Sequence, residues 1–209
     1  VLFADPDQFA FFREREPLAK IGYSIFLYEV APRGEPVDVV LGGVQLDELE
    51  TADFAQLGSN QVTPHWFAPD SSWLETAVLP QWAAIAANVP LAHDSLLQSY
   101  EQVAANDRYR LLRLQAAERA PTEPIALFRL DDGALGLLEV EVETAVSDPT
   151  QLQIQTVWQQ RATPHPAKLF IHVTNGEGDI VAQWDGLGAA WQSWSPKSLL
   201  WQQHTITLP

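Results

Sequence analysis

The stretch QLQIQTVWQQRATPHPAKLFIHVTNGEGDIVAQWDG, residues 151–186, decides the fold. Apolar and polar side chains alternate in three of its segments, residues 151–159, 168–173 and 180–184. A period of two places successive side chains on opposite faces of a β-strand. The sequence TNGEGD, residues 174–179, predicts a tight turn, because Gly and Asn tolerate positive φ. The stretch therefore predicts three consecutive β-strands, each with one buried face.

The rest of the second half continues this pattern of short strands. Leu138, Val140 and Val142 alternate with Leu137 and three glutamates, which predicts a strand with Leu137 on the glutamate face. A tryptophan-rich connection leads to a last predicted strand at residues 202–208. Short strands separated by turns are typical of a β-sandwich or jelly roll.

The first half predicts two strand–helix–strand units. The first unit consists of a strand at residues 1–4, a helix beginning at Asp5 and a strand at 21–30. The second consists of a strand at 81–86, a helix with an apolar stripe from Leu96 to Val103 and a strand at 109–114. This weak internal duplication predicts a mixed sheet covered by helices. The predicted fold class is therefore α+β, an N-terminal α/β part with duplicated strand–helix–strand units followed by a jelly-roll-like β-sandwich.

Between the two units the sequence predicts a strand at 37–41 and a short acidic helix at 46–57, closed by Gly58. Residues 58–77 then predict a long irregular loop, rich in Pro, Ser and Trp. Loops of this length in compact domains are often functional. The competing interpretation is that the aromatic side chains of the loop pin it onto the core.

A linker is predicted at residues 116–124, AAERAPTEP, from its small residues, charges and two prolines. Composition changes there, and five of the eight tryptophans follow it. The predicted domains are residues 1–118, an α/β domain, and residues 119–209, a β-sandwich domain.

The net charge of −15 and the pI of about 4.5 exclude partners with dense negative charge. A surface this acidic repels phosphate backbones, so nucleic-acid binding is not expected. The absence of cysteine removes disulfides, thiolate metal sites and a cysteine nucleophile. The chain begins Val-Leu-Phe-Ala-Asp with neither a signal peptide nor a long apolar run, which predicts a soluble fragment of a longer protein.

No recognised catalytic motif is present. A phosphate-binding glycine loop, a G-x-S-x-G elbow and an H-E-x-x-H helix are all missing, and the five histidines lack metal-ligand spacing. The sequence therefore predicts no catalytic residues, no metal and no cofactor. The triplet Asp131-Asp132-Gly133 could bind Ca²⁺ through its carboxylates, but a turn before a strand is the favoured interpretation.

The tryptophans give the candidate binding residues. Trp158 and Trp184 fall on apolar strand faces and are predicted to lie in the core. Trp191 and Trp194 lie in the polar segment AAWQSWSPK and are predicted to be exposed, as sugar-stacking residues are. The polar residues that could bond the hydroxyls of a sugar, and the loop residues that could form a second contact, are Gln183, Asp185, Gln192, His65 and Trp66.

The second half is similar to the soluble C-terminal regions of multi-spanning membrane glycosyltransferases of the dolichyl-phosphate-mannose mannosyltransferase type in Chloroflexi-like bacteria. The residues that match the pattern of this family are Phe170, His172, Gly178, Val181, Ala182, Gln183, Asp185, Gly186, Leu208 and Pro209. The segments GSNQVTPHWFAPDSSWL, residues 58–74, and GYSIFLYEV, residues 22–30, also resemble the preceding soluble segment of such proteins.

The chain departs from this pattern in two places. Trp194-Ser195-Pro196-Lys197 lacks the glycine of the usual Trp-x-Pro-Gly, and the strands expected after Pro209 are missing, so the sandwich is expected to be truncated. In this family the catalytic acids lie near the membrane helices, which this chain does not contain. The resemblance therefore implies a non-catalytic module on the extracytoplasmic side of a bacterial membrane. Its expected partners are a glycan and the membrane-spanning region of its parent chain.

Two alternatives remain open at the level of sequence. One is a carbohydrate-binding module in the strict sense, which would use the loop tryptophans. The other is a stand-alone enzyme resembling a glycoside hydrolase, which requires a deep pocket near His65 with two carboxylates about 5–10 Å apart. The ligand and the oligomeric state do not follow from the residues.

Overall fold

The computed structural model describes residues 10–115, 123–130, 133–145, 148–163, 166 and 168–209. The chain divides into two compact units, one ending at Arg33 and the other spanning Gly34–Pro209. The predicted strand at residues 1–4, the predicted helix start at Asp5 and most of the predicted linker lie outside the described residues. Within the described ranges, no helix has the length and apolarity that crossing a membrane requires.

The smaller unit contains a short helix and a hairpin. Helix α1 is Ala10–Arg13, and strands β1 (Ala19–Ile21) and β2 (Ile25–Leu27) pair antiparallel. The prediction of one continuous strand over residues 21–30 is therefore wrong. Gly22 adopts a φ of +65°, a left-handed conformation that glycine reaches without strain, and the chain reverses there.

The larger unit is rich in β-strands and poor in helices. Among its described residues the one α-helix, α2, is Thr51–Leu57, and 3₁₀ helices span Leu46–Glu48, Asp94–Ser99 and Trp191–Ser193. Its strands are β3 (Val37–Gly42), β4 (Val62–Phe67), β5 (Ser72–Glu75), β6 (Gln81–Ala86), β7 (Glu101–Ala105), β8 (Tyr109–Leu114), β9 (Ala126–Leu130), β10 (Gly133–Thr144), β11 (Gln151–Gln160), β12 (Leu169–Thr174), β13 (Ile180–Gly186) and β14 (Leu199–Thr207).

The first sheet has the order β4-β3-β6-β8-β7. β3 runs parallel to β4 and β6, whereas β8 is antiparallel to both β6 and β7, so the sheet is mixed. The predicted duplication of strand–helix–strand units is not confirmed, because β1 and β2 form a two-stranded sheet of their own and Asp94–Ser99 is a 3₁₀ helix. One face of this sheet packs against Leu49 and against α2 through Leu57. Asp53 of α2 is buried and accepts hydrogen bonds from the Tyr109 hydroxyl and from the Glu50 N–H, which ties the helix to the sheet.

The second sheet is fully antiparallel, with the order β5-β14-β11-β10-β9. The three strands predicted from residues 151–186 are confirmed as β11, β12 and β13. β12 and β13 form a separate hairpin, and Asn175 Oδ1 accepts the Glu177 and Asp179 N–H groups in its turn. The Trp184 ring of this hairpin lies 4.0 Å from the His204 ring of β14.

The two sheets share one hydrophobic core. Its buried members include Val40 and Leu112 from the first sheet and Trp158 and Leu200 from the second. Trp158 is thus in the core as predicted, and Trp184 packs against the core while partly exposed. The predicted division at residues 118–119 stays a prediction, because much of its linker is outside the described residues.

Three further predicted elements differ from the structure. The helix predicted over residues 46–57 is a 3₁₀ helix at Leu46–Glu48 followed by α2, which begins at Thr51. Half of the loop predicted over residues 58–77 is strand, since it contains β4 and β5. The helix predicted to carry Leu96 and Val103 is a 3₁₀ helix ending at Ser99, followed by β7. Glu101–Ala105 pairs with β8, so the tertiary sheet overrides the local helical spacing.

Candidate functional site

The connection between β13 and β14 docks on the free edge of β4. The Ala68 N–H donates to the Gly188 carbonyl at 2.7 Å, and the Trp66 N–H donates to Ser193 Oγ at 2.9 Å. The Ala190 N–H donates to the Trp66 carbonyl at 3.4 Å. These bonds bring together two segments that the sequence singled out separately, one around His65-Trp66 and the other around Trp191-Gln192.

Three of the predicted site residues contribute to the surface of this junction. Trp66 is 38% exposed, Trp191 is partly exposed and Gln192 is exposed. We call these three residues the junction surface. Indole rings offer flat apolar faces, and the Gln192 amide offers both a donor and an acceptor. A neutral polar ligand with an apolar face, such as a sugar ring, matches this chemistry.

His65 lies beneath the junction and has a structural role. It is buried, and its Nδ1 is 2.7 Å from the Ser193 carbonyl, so Nδ1 carries the hydrogen. Its Nε2 lies 3.4 Å from Asp38 Oδ1. The ring therefore joins β4, β3 and the docked connection, and its position does not offer it to a ligand.

The prediction that Trp194 is exposed is wrong. Its side chain is only 2% exposed and belongs to the core shared by the two sheets. Its indole N–H donates to the Ser198 carbonyl at 3.3 Å, which satisfies the buried donor. The sequence AAWQSWSPK is polar enough to suggest a surface loop, but the 3₁₀ turn at Trp191–Ser193 directs Trp194 inward.

The remaining predicted residues, Gln183 and Asp185, lie on the exposed face of the β12–β13 hairpin. Gln183 pairs in register with His172, and Asp185 forms an ion pair with Lys168. The 61% exposed Phe170 lies opposite Asp185 on the same face. The structure places these two residues on a different element from the junction surface, and Asp185 has an ionic partner of its own.

The structure also contains a groove that the sequence did not reveal. It is an open depression of about 530 Å³ between the 3₁₀ helix at Asp94–Ser99 and the end of β8. The residues that line it are Val89, Leu91, Asp94, Leu97, Gln98 and Arg110. The spacing of Leu96 and Leu97 had indicated a helical stripe, so no sequence signal pointed to a groove.

Two buried histidines contact tryptophans at strand β14, His204 against Trp184 of the hairpin and His93 against Trp201. His204 Nε2 is 3.1 Å from the Thr156 hydroxyl, and the ring of His93 is 6.3 Å from that of Trp201. Burial, with a smaller contribution from His93, lowers the pKa of His204 to about 4. Burial also lowers the pKa of His93. Both rings are thus neutral in the native protein near pH 7.

The described part of the chain contains no group of three or more His, Asp or Glu side chains arranged to hold a metal ion. The triplet Asp131-Asp132-Gly133 falls mainly outside the described residues, so the favoured turn stays a prediction and the Ca²⁺ site stays its alternative.

Comparison with known proteins finds no matching family model, no matching curated protein and no matching solved structure. The resemblance to membrane glycosyltransferases therefore stays a prediction from the sequence.

Proposed function

We propose that this chain is a non-catalytic module that contacts a glycan through the junction surface. We further propose that it forms the extracytoplasmic part of a membrane-anchored, glycosyltransferase-like bacterial protein. The observation that carries the proposal is the contact between the backbone of Trp66 and the segment that holds Trp191 and Gln192. The Trp66 N–H donates to Ser193 Oγ and the Ala190 N–H donates to the Trp66 carbonyl, across more than 120 residues of sequence.

The chemistry of the junction surface favours a neutral sugar over a charged ligand. Two aromatic rings with exposed area can cover the apolar face of a sugar ring, and Gln192 can bond its hydroxyls. The net charge of −15 disfavours phosphorylated or strongly acidic glycans. A neutral hexose polymer is the ligand class that suits both conditions.

A supporting rather than catalytic role agrees with the position of His65. This ring contacts Ser193 and Asp38 and holds the junction together. The alternative of a stand-alone glycoside hydrolase expects a deep pocket near His65 with two carboxylates about 5–10 Å apart. The burial of His65 and its contact with the Ser193 carbonyl favour the binding function.

The membrane-anchored parent is supported by the sequence resemblance, part of which maps to the exposed face of the β12–β13 hairpin. The matching side chains on that face are Phe170, His172, Val181, Gln183 and Asp185. In this proposal the antiparallel second sheet belongs to the jelly-roll-like sandwich of such a module, and the hairpin face is available to the rest of the parent chain.

The test is binding of the purified chain to a panel of immobilised neutral and acidic glycans. We expect retention of a neutral class, and a loss of roughly tenfold or more, about 1.4 kcal/mol, when Trp66→Ala and Trp191→Ala are combined. Phe170→Ala is the matched control, because it removes an exposed aromatic ring from the hairpin instead. Trp194→Ala is unsuitable, since it would create a cavity in the core.

Failure of the wild-type chain to retain any glycan would refute the proposal. Equal retention of the double variant and the wild type would also refute it, because binding would then not depend on the junction surface. Circular dichroism of both variants verifies that their fold is retained.

A further inference from the structure

Strand β10 has one edge that is only half covered. It runs from Gly133 to Thr144, and β11 pairs with it as far as Thr144. On its other side, β9 pairs with it only as far as Leu137. Over Glu139–Thr144, no described residue pairs with this outer side. Alternate residues there direct their N–H and C=O groups away from the sheet, which is a template for another strand.

Glutamate and valine alternate along the free segment, and a β-bulge at Leu138 decides which face of the sheet each set occupies. The register moves from Leu137 opposite Trp158 to Glu139 opposite Val157. Val140 and Val142 therefore lie on the same sheet face as Leu137 and Trp158. These two valines are 42% and 58% exposed, whereas core positions on the same face are buried.

The opposite face of the free segment carries a row of negative charge. Glu139, Glu141 and Glu143 are all exposed, and their cross-strand neighbours Val157, Gln155 and Gln153 are uncharged. No ion pair joins these glutamates to any described residue. Like charges at successive positions on one face repel each other, so the row is a cost that a cationic neighbour would remove.

The free segment carries only some of the features that block an edge. Proteins protect exposed edges with charged side chains, lysine above all, with proline, with β-bulges or with very short strands. The glutamates of this segment repel an acidic strand but attract a basic one, and the bulge at Leu138 lies just outside it. The sequence EVEVET, residues 139–144, has neither lysine nor proline and is long enough to pair with an added strand. Its side chains alternate between acidic and apolar, so a matching strand must alternate between basic and apolar side chains.

We propose that the β10 edge at Glu139–Thr144 binds an extended segment of a partner protein by β-augmentation. The partner segment alternates Lys or Arg with apolar residues. Its backbone extends the sheet beyond β10, its basic side chains face Glu139, Glu141 and Glu143, and its apolar side chains cover Val140 and Val142. This interaction is separate from the junction surface and does not depend on glycan binding.

The probe is an acetylated ten-residue peptide that alternates Lys with Val or Thr, added to the full chain. Two comparison peptides carry Glu in place of Lys or a Pro at the centre. We expect the Lys peptide to bind, and the Glu and Pro peptides to bind at least tenfold more weakly. Hydrogen exchange should show new protection at residues 139–144.

Charge reversal supplies the decisive variants. With Glu139→Lys, Glu141→Lys and Glu143→Lys together, we expect the Lys peptide to lose at least tenfold in affinity and the Glu peptide to bind instead. The matched control, Asp47→Lys, Asp107→Lys and Glu177→Lys, changes the net charge equally at exposed acids elsewhere and should retain the preference for the Lys peptide.

Three outcomes would overturn the proposal. The first is no binding of the Lys peptide to the wild-type chain. The second is equal loss in the two triple variants, which would show a response to net charge alone. The third is self-association of the wild-type chain with protection at residues 139–144, which would assign the edge to a second copy.

Discussion

At His204, burial and protonation oppose each other. The ring is 1% exposed, contacts Trp184 and bonds to Thr156, so it has no room for the hydration that an imidazolium requires. Its pKa is about 4 in the folded chain, against the ordinary value of 6.5. The unfolded chain therefore binds a proton at pH values where the folded chain does not.

The contribution of His204 to stability is fully present above about pH 6.5 and is lost as the pH falls toward 4. When the pH falls from about 7.5 to 5, the wild type should lose about 2 kcal/mol more free energy of unfolding than a variant whose residue 204 does not titrate. Urea unfolding of the wild type and His204→Gln at both pH values measures this.

Gln is the appropriate replacement, because its amide can reach the Thr156 hydroxyl without carrying a charge. His172→Gln is the control, since His172 is exposed on the hairpin. If His204→Gln and the wild type lose the same free energy of unfolding on acidification, His204 is not the group responsible.

Trp191 and Trp194 show that the composition of a segment does not predict the exposure of each of its side chains. Both stand in the same polar segment, and both were predicted to be exposed. Only Trp191 retains surface area, because Trp194 follows the 3₁₀ turn and enters the core. Composition of a segment describes its average environment, whereas exposure of one side chain depends on the turn geometry next to it.

Among the elements, the connection between β13 and β14 contributes most to the candidate site. Ser72 Oγ donates to the Gly188 carbonyl at 2.6 Å, and the Gly188 N–H donates to Gln202 Oε1 at 2.6 Å. The backbone at Gly188 thus lies against β5 and β14 with no space for a side chain. A Cβ there would be 2.5 Å from the Ser72 Cβ.

Gly188→Ala should therefore destabilise the chain. We expect a loss of about 1–3 kcal/mol in the free energy of unfolding, because the connection must move away from Ser72. Gly176→Ala in the turn of the hairpin is the matched control, since a Cβ there meets nothing within 4 Å. Thermal unfolding of both variants measures the difference, and equal midpoints would contradict the prediction.

Strand β10 shows how far periodicity predicts an element. The alternation of Leu138, Val140 and Val142 correctly indicated a strand, but it assigned Leu137 to the glutamate face. The bulge at Leu138 places Leu137 on the face of the valines instead. An inserted residue changes the parity of a strand without leaving a clear sign in the sequence.

On the scale of the whole larger unit, the shared core connects the two sheets. Leu200 of β14 is fully buried and belongs to the same cluster as Val40 of β3 and Ala83 of β6. β5 comes from the first half of the sequence and pairs with β14 of the second half. These contacts predict that the two sheets unfold together.

Leu200→Ala tests this cooperativity. We expect a loss of about 2–5 kcal/mol, with amide protection falling equally in β3 and β6 and in β11 and β14. Hydrogen exchange followed by mass spectrometry measures each strand separately. Loss of protection confined to β11 and β14 would instead support the predicted boundary at residues 118–119.

The sequence by itself determined the local parts of this protein. The strand at 151–160, the turn at 175–179 and the helix that ends before Gly58 are set by alternation, turn residues and a left-handed glycine, all within a few residues of one another. The buried position of Trp158 follows from the same alternation.

Only the tertiary structure decided which of these parts meet. The pairing of β5 with β14, the convergence of Trp66 with Trp191 and the burial of Trp194 join residues that are far apart in sequence or follow a single turn. The physical reason is that such contacts are selected by the total burial and hydrogen bonding of the folded chain. No local pattern encodes that total. The junction surface therefore became visible only when the structure showed the segment around Trp191 docked on β4.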